Sequence, residues 1–281
     1  HLKRKSLHLE KISFLVLDEA DKMFEMGFIE DVERIITYTS KERQTLLFSA
    51  TIPESVHRLA QRHLKNPLVL RSEIYVDKNL LNQAYYDVGM HEKFSLLVHL
   101  LKAYGNGFSI IFCATRRETD LVARNLKAQG IHAMPIHGGL TQSKRTTVLG
   151  LLRKKHINVL VATDVAARGL DIKEISHIYN YDVPKSSQEY IHRIGRTARA
   201  GMKGDAITLL TERDYANFSN VVSDRTLEIH KVELPPFEKI YFKRMEHKAE
   251  SGFRKPGFNR KPRFGSDVRQ HRGRTHHRFS R

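Results

Sequence analysis

Short apolar runs alternate with helix-length segments along most of the chain, and this alternation restricts the fold more than any other feature. The runs are Ile12–Leu17, Thr45–Phe48, Pro67–Leu70, Ser109–Ala114, His132–His137, Asn158–Ala162, His177–Tyr181 and Ala206–Leu210. The clearest, Ile12–Leu17, is nearly continuous in its apolarity, as strands buried in a parallel sheet are. Between the runs, apolar residues recur at helical spacing: Val32, Ile35 and Ile36; Val56, Leu59, Ala60 and Leu64; Phe94, Leu97 and Leu101; Val148, Leu151 and Leu152. Thr115 with Glu118 and Ser186 with Glu189 have the spacing of capping boxes. Thr141 starts another helix, and Thr211 caps a last one with Tyr215 and Phe218 inside. The pattern predicts an α/β fold with parallel sheets covered by helices on both faces.

Residues 73–81 are polar and lack a clear period, which predicts a linker between a first domain, 1–72, and a second, 82–236. From Phe237 the apolar period is lost, so 237–281 is expected to be a basic tail, disordered from Lys248 onward. The chain begins at His1, within what reads as a polar helix, and is expected to be the C-terminal part of a longer protein.

Charge points to a partner. The 281 residues carry 48 Lys/Arg against 31 Asp/Glu, a formal charge of +17. Eleven of the basic residues fall between Lys248 and Arg281, against Glu250 and Asp267. A basic body with a more basic tail predicts a polyanion, most often nucleic acid. Phe253, Phe258, Phe264 and Phe279 among those charges suit salt-sensitive tethering by charge and stacking. No apolar run reaches the ~18 residues of a membrane span, so no membrane partner is expected. One cysteine, Cys113, forms no intrachain disulfide and fits a reducing cytoplasm.

The chemistry-bearing residues stand at the ends of the predicted strands. Asp18, Glu19 and Asp21 follow the first run, where α/β sheets place ligands. Asp18 can hold a Mg²⁺ that bridges nucleotide phosphates, and Glu19 can orient or deprotonate a water. The same acids can instead serve as N-terminal charges of the next helix. Ser49 and Thr51 follow the second run and either cap the helix starting near Pro53 or link the carboxylates to another site by hydrogen bonds. Thr163 with the amides beside it suits a phosphate. Gly169 permits a close approach, Asp171 can accept from a ribose, and Arg168 can pair with a carboxylate across a cleft. At His137–Arg145, the turn through Gly138 and Gly139 offers free amides to an anion, and Gln142 and Arg145 can grip a nucleic-acid backbone. Last comes Glu189–Gly201, with His192, Arg193, Arg196 and Arg199. Read as a helix, it puts Arg196 and Arg199 on one face, where two guanidiniums call for a strong anion such as a γ-phosphate. A solvated basic helix is the plainer alternative. Zinc is rejected despite sixteen histidines, because a finger-like site needs a cysteine pair and the chain has one cysteine.

Asp-Glu-Ala-Asp at 18–21, Ser-Ala-Thr at 49–51, Gln142…Arg145, Ala162–Ile172 and His192–Arg199, in this order, resemble the motifs of the DEAD-box RNA helicases, superfamily 2 ATPases. The resemblance covers about residues 10–235. It implies two RecA-like domains closing over ATP·Mg²⁺ and single-stranded RNA. By it, Asp18 is the Mg²⁺-side carboxylate, Glu19 the base for the attacking water, and Asp171 a ribose contact. Arg196 and Arg199 are arginine fingers, which contribute on the order of 10³–10⁵ in rate. Asp21, Ser49, Thr51 and His192 couple the domains, and Gln142, Arg145 and Thr163 meet the RNA backbone. Ala198 stands where the family more often has glycine, and a methyl there is expected to be tolerated in a helix. The family's phosphate loop lies upstream of the acidic motif, and no G-x-x-x-x-G-K-[ST] occurs in the chain. The fragment alone is therefore expected to be inactive. A non-catalytic RNA clamp or chaperone is the competing function, and a DNA translocase a weaker third.

Overall fold

The first apolar run forms β1 (Phe14–Leu17), which pairs in parallel with β2 (Gln44–Leu47), Leu17 opposite Leu47. The structure, a computed structural model, describes residues 1–71, 80–104, 107–167, 170, 172, 175–198 and 201–244. Helices α1 (Ala20–Glu25), α2 (Ile29–Thr37) and α3 (Glu54–His63) belong to this first sheet. Leu17, Ile36 and Leu59 make its small core, so the helical spacings read at Ile36 and Leu59 do point inward. The strand expected at Pro67–Leu70 does not form. That stretch has no strand beside it to complete a ladder, and Leu68 and Leu70 are each 83% exposed.

The second sheet is parallel throughout. Its strands are β3 (Leu81–Asp87), β4 (Phe108–Phe112), β5 (Ala133–Ile136), β6 (Val159–Ala162), β7 (Ile175–Asn180), β8 (Gly204–Leu210) and β9 (His230–Lys231). Their order is β5-β6-β4-β7-β8-β3-β9. Helices α4 (Lys93–Ala103), α5 (Arg116–Ala128), α6 (Gln142–Arg153), α7 (Asp164–Ala167), α8 (Ser187–Ile194) and α9 (Tyr215–Val222) connect them. Ile110, Phe112, Leu160, Ile178, Tyr190, Ile194 and Ala206 are buried together in the core. Parallel strands need such crossovers, which cover both faces and leave the strand ends as the place for ligands. Strands β3 and β9 escape a reading based on apolar runs because Asn82, Gln83, His230 and Lys231 interrupt them. Leu81, expected at the end of the linker, is already the first residue of β3. Most of that linker lies outside the described residues, as do the tail from 245 and the phenylalanines in it.

Caps set where the helices begin. Thr115, Thr141 and Ser186 accept from the amides of Glu118, Lys144 and Glu189 at 3.1, 3.3 and 3.2 Å. Thr211 does not cap a helix in this way: its hydroxyl donates to the Asp214 carboxylate at 2.7 Å, and Asp214 precedes α9. Tyr215 faces out, donating to Asp87 at 3.0 Å, while Val221 fills the interior. His1–Tyr241 forms one compact unit, so both sheets belong to it. Among the described residues no helix is long and apolar enough to cross a membrane.

The arginine stretch is not one helix. Helix α8 stops at Ile194, Gly195 ends it, and Arg196 lies in the turn beyond. Thr197 is buried, its hydroxyl donating to the Ile175 carbonyl at 2.5 Å, and a Cβ on Gly204 would collide with its side chain. This anchor turns the chain sharply enough to put Ala198 at φ +53°. Arg196 therefore does not lie on a helix face, and the expected tolerance of a methyl at 198, which assumed a helix, does not hold. A left-handed alanine costs about 1–2 kcal/mol, which is the physical reason for a glycine there. Ala198→Gly is expected to stabilise the fold by about 1 kcal/mol, read as a raised midpoint in thermal or urea unfolding.

Candidate active site and nucleic-acid interface

The carboxyl end of β1 and the turn after α8 face each other. Asp18, Glu19, Asp21, Ser49, His192 and Arg196 line a cleft of about 580 Å³ there, a size ordinary for a small-ligand site. Glu19 Oε1 lies 3.9 Å from Arg196 Nη2 across it. Glu19 also holds an uncommon backbone, φ 52° and ψ 46°, with its amide donating to Asp18 Oδ1 at 2.9 Å. A left-handed glutamate is a strained conformation of the kind that clusters at functional sites. Strand pairing supports it from below, because the next amide, of Ala20, donates to the Phe48 carbonyl at the end of β2.

Asp21 is only 3% exposed, and its carboxylate is well satisfied. Its Oδ1 accepts from the Lys22 amide, and its Oδ2 from the Thr51 amide at 3.1 Å and the Thr51 hydroxyl at 3.0 Å. Ser49 accepts from the Asp21 amide and donates to the Thr51 carbonyl. Neither hydroxyl caps α3, whose first turn has no side-chain cap. The two residues instead tie the acidic turn to the next strand end, and from there to α8, because Gln188 donates to both Thr51 Oγ1 and Asp21 Oδ2.

The other expected residues lie on the second sheet. Strands β5, β6 and β4 are neighbours at one edge, so the turns after them form one surface. Thr163 follows β6 and is nearly buried, its carbonyl accepting from the Ala166 and Ala167 amides. Gln142 is exposed at the start of α6, and Arg145 donates to the Ala166 carbonyl at 3.1 Å, joining two of the turns. The glycine turn differs from expectation. The Gly139 amide donates to His137 Nδ1 and the Leu140 amide to the His137 carbonyl, so these amides are engaged within the turn and not free for an anion. His137 is held in turn by Asp120 at 3.1 Å. A Cβ on Gly139 would press on the imidazole at 3.1 Å, and one on Gly138 would meet the Arg116 guanidinium at 3.5 Å. Close approach to the imidazole, not a positive φ, favours glycine at 139, whereas a Cβ at 138 would make only ordinary contact. Arg168, Gly169, Asp171 and Arg199 lie outside the described residues.

Arg193 faces inward. It is 3% exposed and forks onto Asp164, Nε to Oδ1 at 2.6 Å and Nη2 to Oδ2 at 2.8 Å. Its Nη1 donates to Asn180 Oδ1 and the Asp182 carbonyl, and its plane covers the Phe112 ring.

The comparisons with known proteins agree with this arrangement. A profile of the DEAD/DEAH box helicases matches residues 1–59, and one of the helicase conserved C-terminal domain matches 92–201. ATP-dependent RNA helicase CshA of Listeria monocytogenes is 41% identical over 242 residues, 86% of this chain and 46% of its own length. The chain thus spans about half the length of the curated relatives it matches. Among solved structures, S. cerevisiae Dbp5 bound to RNA and ADP BeF3 matches 83% of this chain and 62% of its own, at TM-score 0.74 and 33% identity. The E. coli DEAD-box protein SrmB, solved with regulator of ribonuclease activity A, is 42% identical; the match covers 54% of this chain and 90% of that one, at TM-score 0.51. The chain belongs to the DEAD-box helicase family.

Within the DEAD-box fold, two side chains went unread in the sequence, and a third, Arg193, was read only as part of a basic stretch. Gln188 shows a signal only in hindsight, four residues before His192 on the same helix face. Arg116 was hidden as one more basic residue in α5. Arg193, grouped with the ligand-facing arginines, turns out to be a structural one.

A buried charged cluster also stands at the ends of β4, β7 and β8. Lys93 is 2% exposed, 3.2 Å from Asp214 and 3.7 Å from Asp182. Arg213 reaches Asp182 at 2.8 Å and Glu118 at 3.7 Å. Burial, and then the neighbouring Asp182 carboxylate, push the Glu118 carboxyl up from its ordinary 4.5 to about 7. The native state therefore binds more protons than the unfolded chain between those values, and this share of stability is lost as pH rises through about 7. Glu118→Gln is expected to flatten the fall in stability between about pH 5 and pH 8. Unfolding midpoints of both proteins across that range check it.

Proposed function

We propose that the protein containing this chain is an RNA-dependent ATPase that locally unwinds RNA or remodels RNA–protein complexes, in the cytoplasm. In this reading residues 1–72 and 82–236 are parts of two RecA-like domains joined by 73–81. The observation that carries it is Glu19 facing Arg196 across the cleft at 3.9 Å. A base and a guanidinium from different sheets meet where a nucleotide would lie, so catalysis depends on closure.

Asp18 fits a magnesium ion: its carboxylate is exposed, lines the cleft, and has Oδ1 steadied by the Glu19 amide. Magnesium sites of this type use one or two carboxylates with water and substrate phosphates, and the ion would neutralise charge on the β- and γ-oxygens. Glu19, held strained by its flanking hydrogen bonds, orients the attacking water and takes its proton. Arg196 is already held against an anion in the cleft; a phosphate is a better, bidentate partner for it. Arg199 is assigned beside it as a second finger, Gly169 and Asp171 to the nucleotide, and Arg168 to interdomain coupling, by resemblance. Asp21, Ser49, Thr51 and His192 transmit closure.

Thr163, Gln142, Arg145, Gly138 and Gly139 present one surface to the RNA backbone, with Arg116 above the glycines. Contacts to the backbone alone make binding independent of sequence. That Dbp5 was solved with RNA and ADP BeF3 supports the reading, as does the name of the Listeria relative. The chain by itself contains no phosphate loop and is not expected to turn over ATP.

The test is RNA-stimulated ATP hydrolysis by the full-length protein. Glu19→Gln is expected to abolish turnover, and Arg196→Ala to cut it by on the order of 10³-fold, with RNA binding kept in both. RNA binding without turnover in the intact protein would favour the clamp instead. Deleting 248–281 is expected to weaken RNA affinity and flatten the slope of log K against log salt, as filter binding at several salt concentrations would show.

A further inference from the structure

We propose, resting on the RNA reading above, that His137 is a positioning residue for RNA binding: its imidazole, held by Asp120, docks the glycine turn onto α5, so that the turn and Arg116 meet the RNA backbone as one surface. His137 follows β5 and opens the turn that leads to α6. It is buried, and no chemical step needs it. Its two ring nitrogens have opposite duties. Nδ1 lies 3.1 Å from the Gly139 amide. A backbone N–H can only donate, and the chain fixes its direction, so Nδ1 is the nitrogen without a proton. The ring proton is then on Nε2, which donates to Asp120 Oδ1 at 3.1 Å.

The grip on the turn comes from one face of α5. Arg116 is the first residue of that helix, and Asp120 stands one turn further on. The Arg116 side chain runs along the glycines: a Cβ on Gly139 would lie 3.5 Å from its Cδ, and one on Gly138 would lie 3.5 Å from its Nη2. Asp120 reaches the same turn through the imidazole. The His137 carbonyl accepts from the Leu140 amide at 3.1 Å, which closes the turn behind the ring. Without the imidazole the Gly139 amide loses its partner within the protein, and the turn can leave the place where Arg116 lies along it. RNA affinity then falls in proportion to the fraction of molecules in which the turn stays docked.

Two substitutions separate the two nitrogens. Asparagine at 137 carries an oxygen where Nδ1 stands and can accept from Gly139, but it is too short for Asp120. Glutamine reaches toward Asp120 and places no acceptor where Nδ1 stands. Affinity of the full-length protein for an oligouridine would be measured with ADP and beryllium fluoride for wild type, His137→Asn, His137→Gln and His137→Ala. Asparagine is expected within about threefold of wild type, and glutamine and alanine about tenfold weaker, the size of one lost buried hydrogen bond. Asparagine and glutamine lose the same ring packing, so a merely structural role would lower both affinities together, along with both unfolding midpoints. Glutamine binding as well as asparagine or better, or alanine binding like wild type, overturns the proposal.

A second cycle tests Asp120. Asp120→Ala is expected to weaken RNA binding about threefold more in the wild type than in His137→Asn, where it has no ring left to hold. The charge it removes acts alike in both backgrounds, so equal effects overturn the role of Asp120. In the ATPase assay, His137→Gln is expected to raise the RNA needed for half-maximal turnover and to keep kcat at saturating RNA. A fall in kcat with that RNA concentration unchanged overturns the positioning role. A wild type that binds the RNA in the expected order of variants but hydrolyses no ATP overturns the ATPase reading and leaves His137 standing. A wild type that binds no RNA overturns both.

Discussion

The cleft depends on the fork between Arg193 and Asp164. A buried guanidinium without its carboxylate is costly, about 3–5 kcal/mol when one partner is removed, and here the remaining donors are also matched, by Asn180 and the Asp182 carbonyl. This fixes α8 in rotation as well as position. One face of the helix is pinned inward by Arg193 and Tyr190, so Gln188 and His192 are presented outward toward the first sheet. The same fork ends on Asp164, the residue after Thr163. The fork therefore joins α8 directly to the turn after β6.

The two sheets meet through contacts of opposite character. The Glu19–Arg196 pair is long, at 3.9 Å, with Glu19 partly exposed and Arg196 largely buried. Such a pair contributes about 0–1 kcal/mol and is weakened by salt. Gln188 donates at 2.9 Å to Thr51 Oγ1 and at 3.3 Å to Asp21 Oδ2, contacts uncharged on the Gln188 side. The two sheets are thus joined by one long ionic contact and by the uncharged amide of Gln188. Strain is stored on the first-sheet side, in the left-handed Glu19, where strand pairing and the Asp18 side chain hold it.

Much of this was legible from residue order. Buried strands showed as apolar runs, and three caps stood where Thr115, Thr141 and Ser186 implied them. The acidic turn does follow β1, but that strand is less buried than its apolar run implied, with Phe14 and Val16 exposed. What was not legible came from contacts distant in sequence. Pro67–Leu70 looks like a strand but lacks a neighbour. β3 is polar because it lies toward one side of the sheet, next to the two-residue β9, where apolar runs are not required. The arginine stretch was misread as a continuous helix because its spacing is helical; Thr197 and Gly204, packed across the end of β8, break it. Nothing local to Arg193 distinguishes it from Arg196, and only the sheet order puts Asp164 beneath one and the cleft before the other.

That last distinction has a chemical basis. Arg193 follows His192 in the final turn of α8, where the helix still dictates direction and the core lies below. Arg196 comes after Gly195, where the helix has released the chain, and its direction is set by the anchored Thr197 that follows. Two arginines three residues apart thus receive opposite roles from one glycine and one buried hydroxyl. Moving the end of α8 by a single residue would rotate Arg196 away from Glu19 by about 100°, leaving the fork intact and the cleft without its cation. The termination of this helix, more than the number of basic residues on it, is what makes the site.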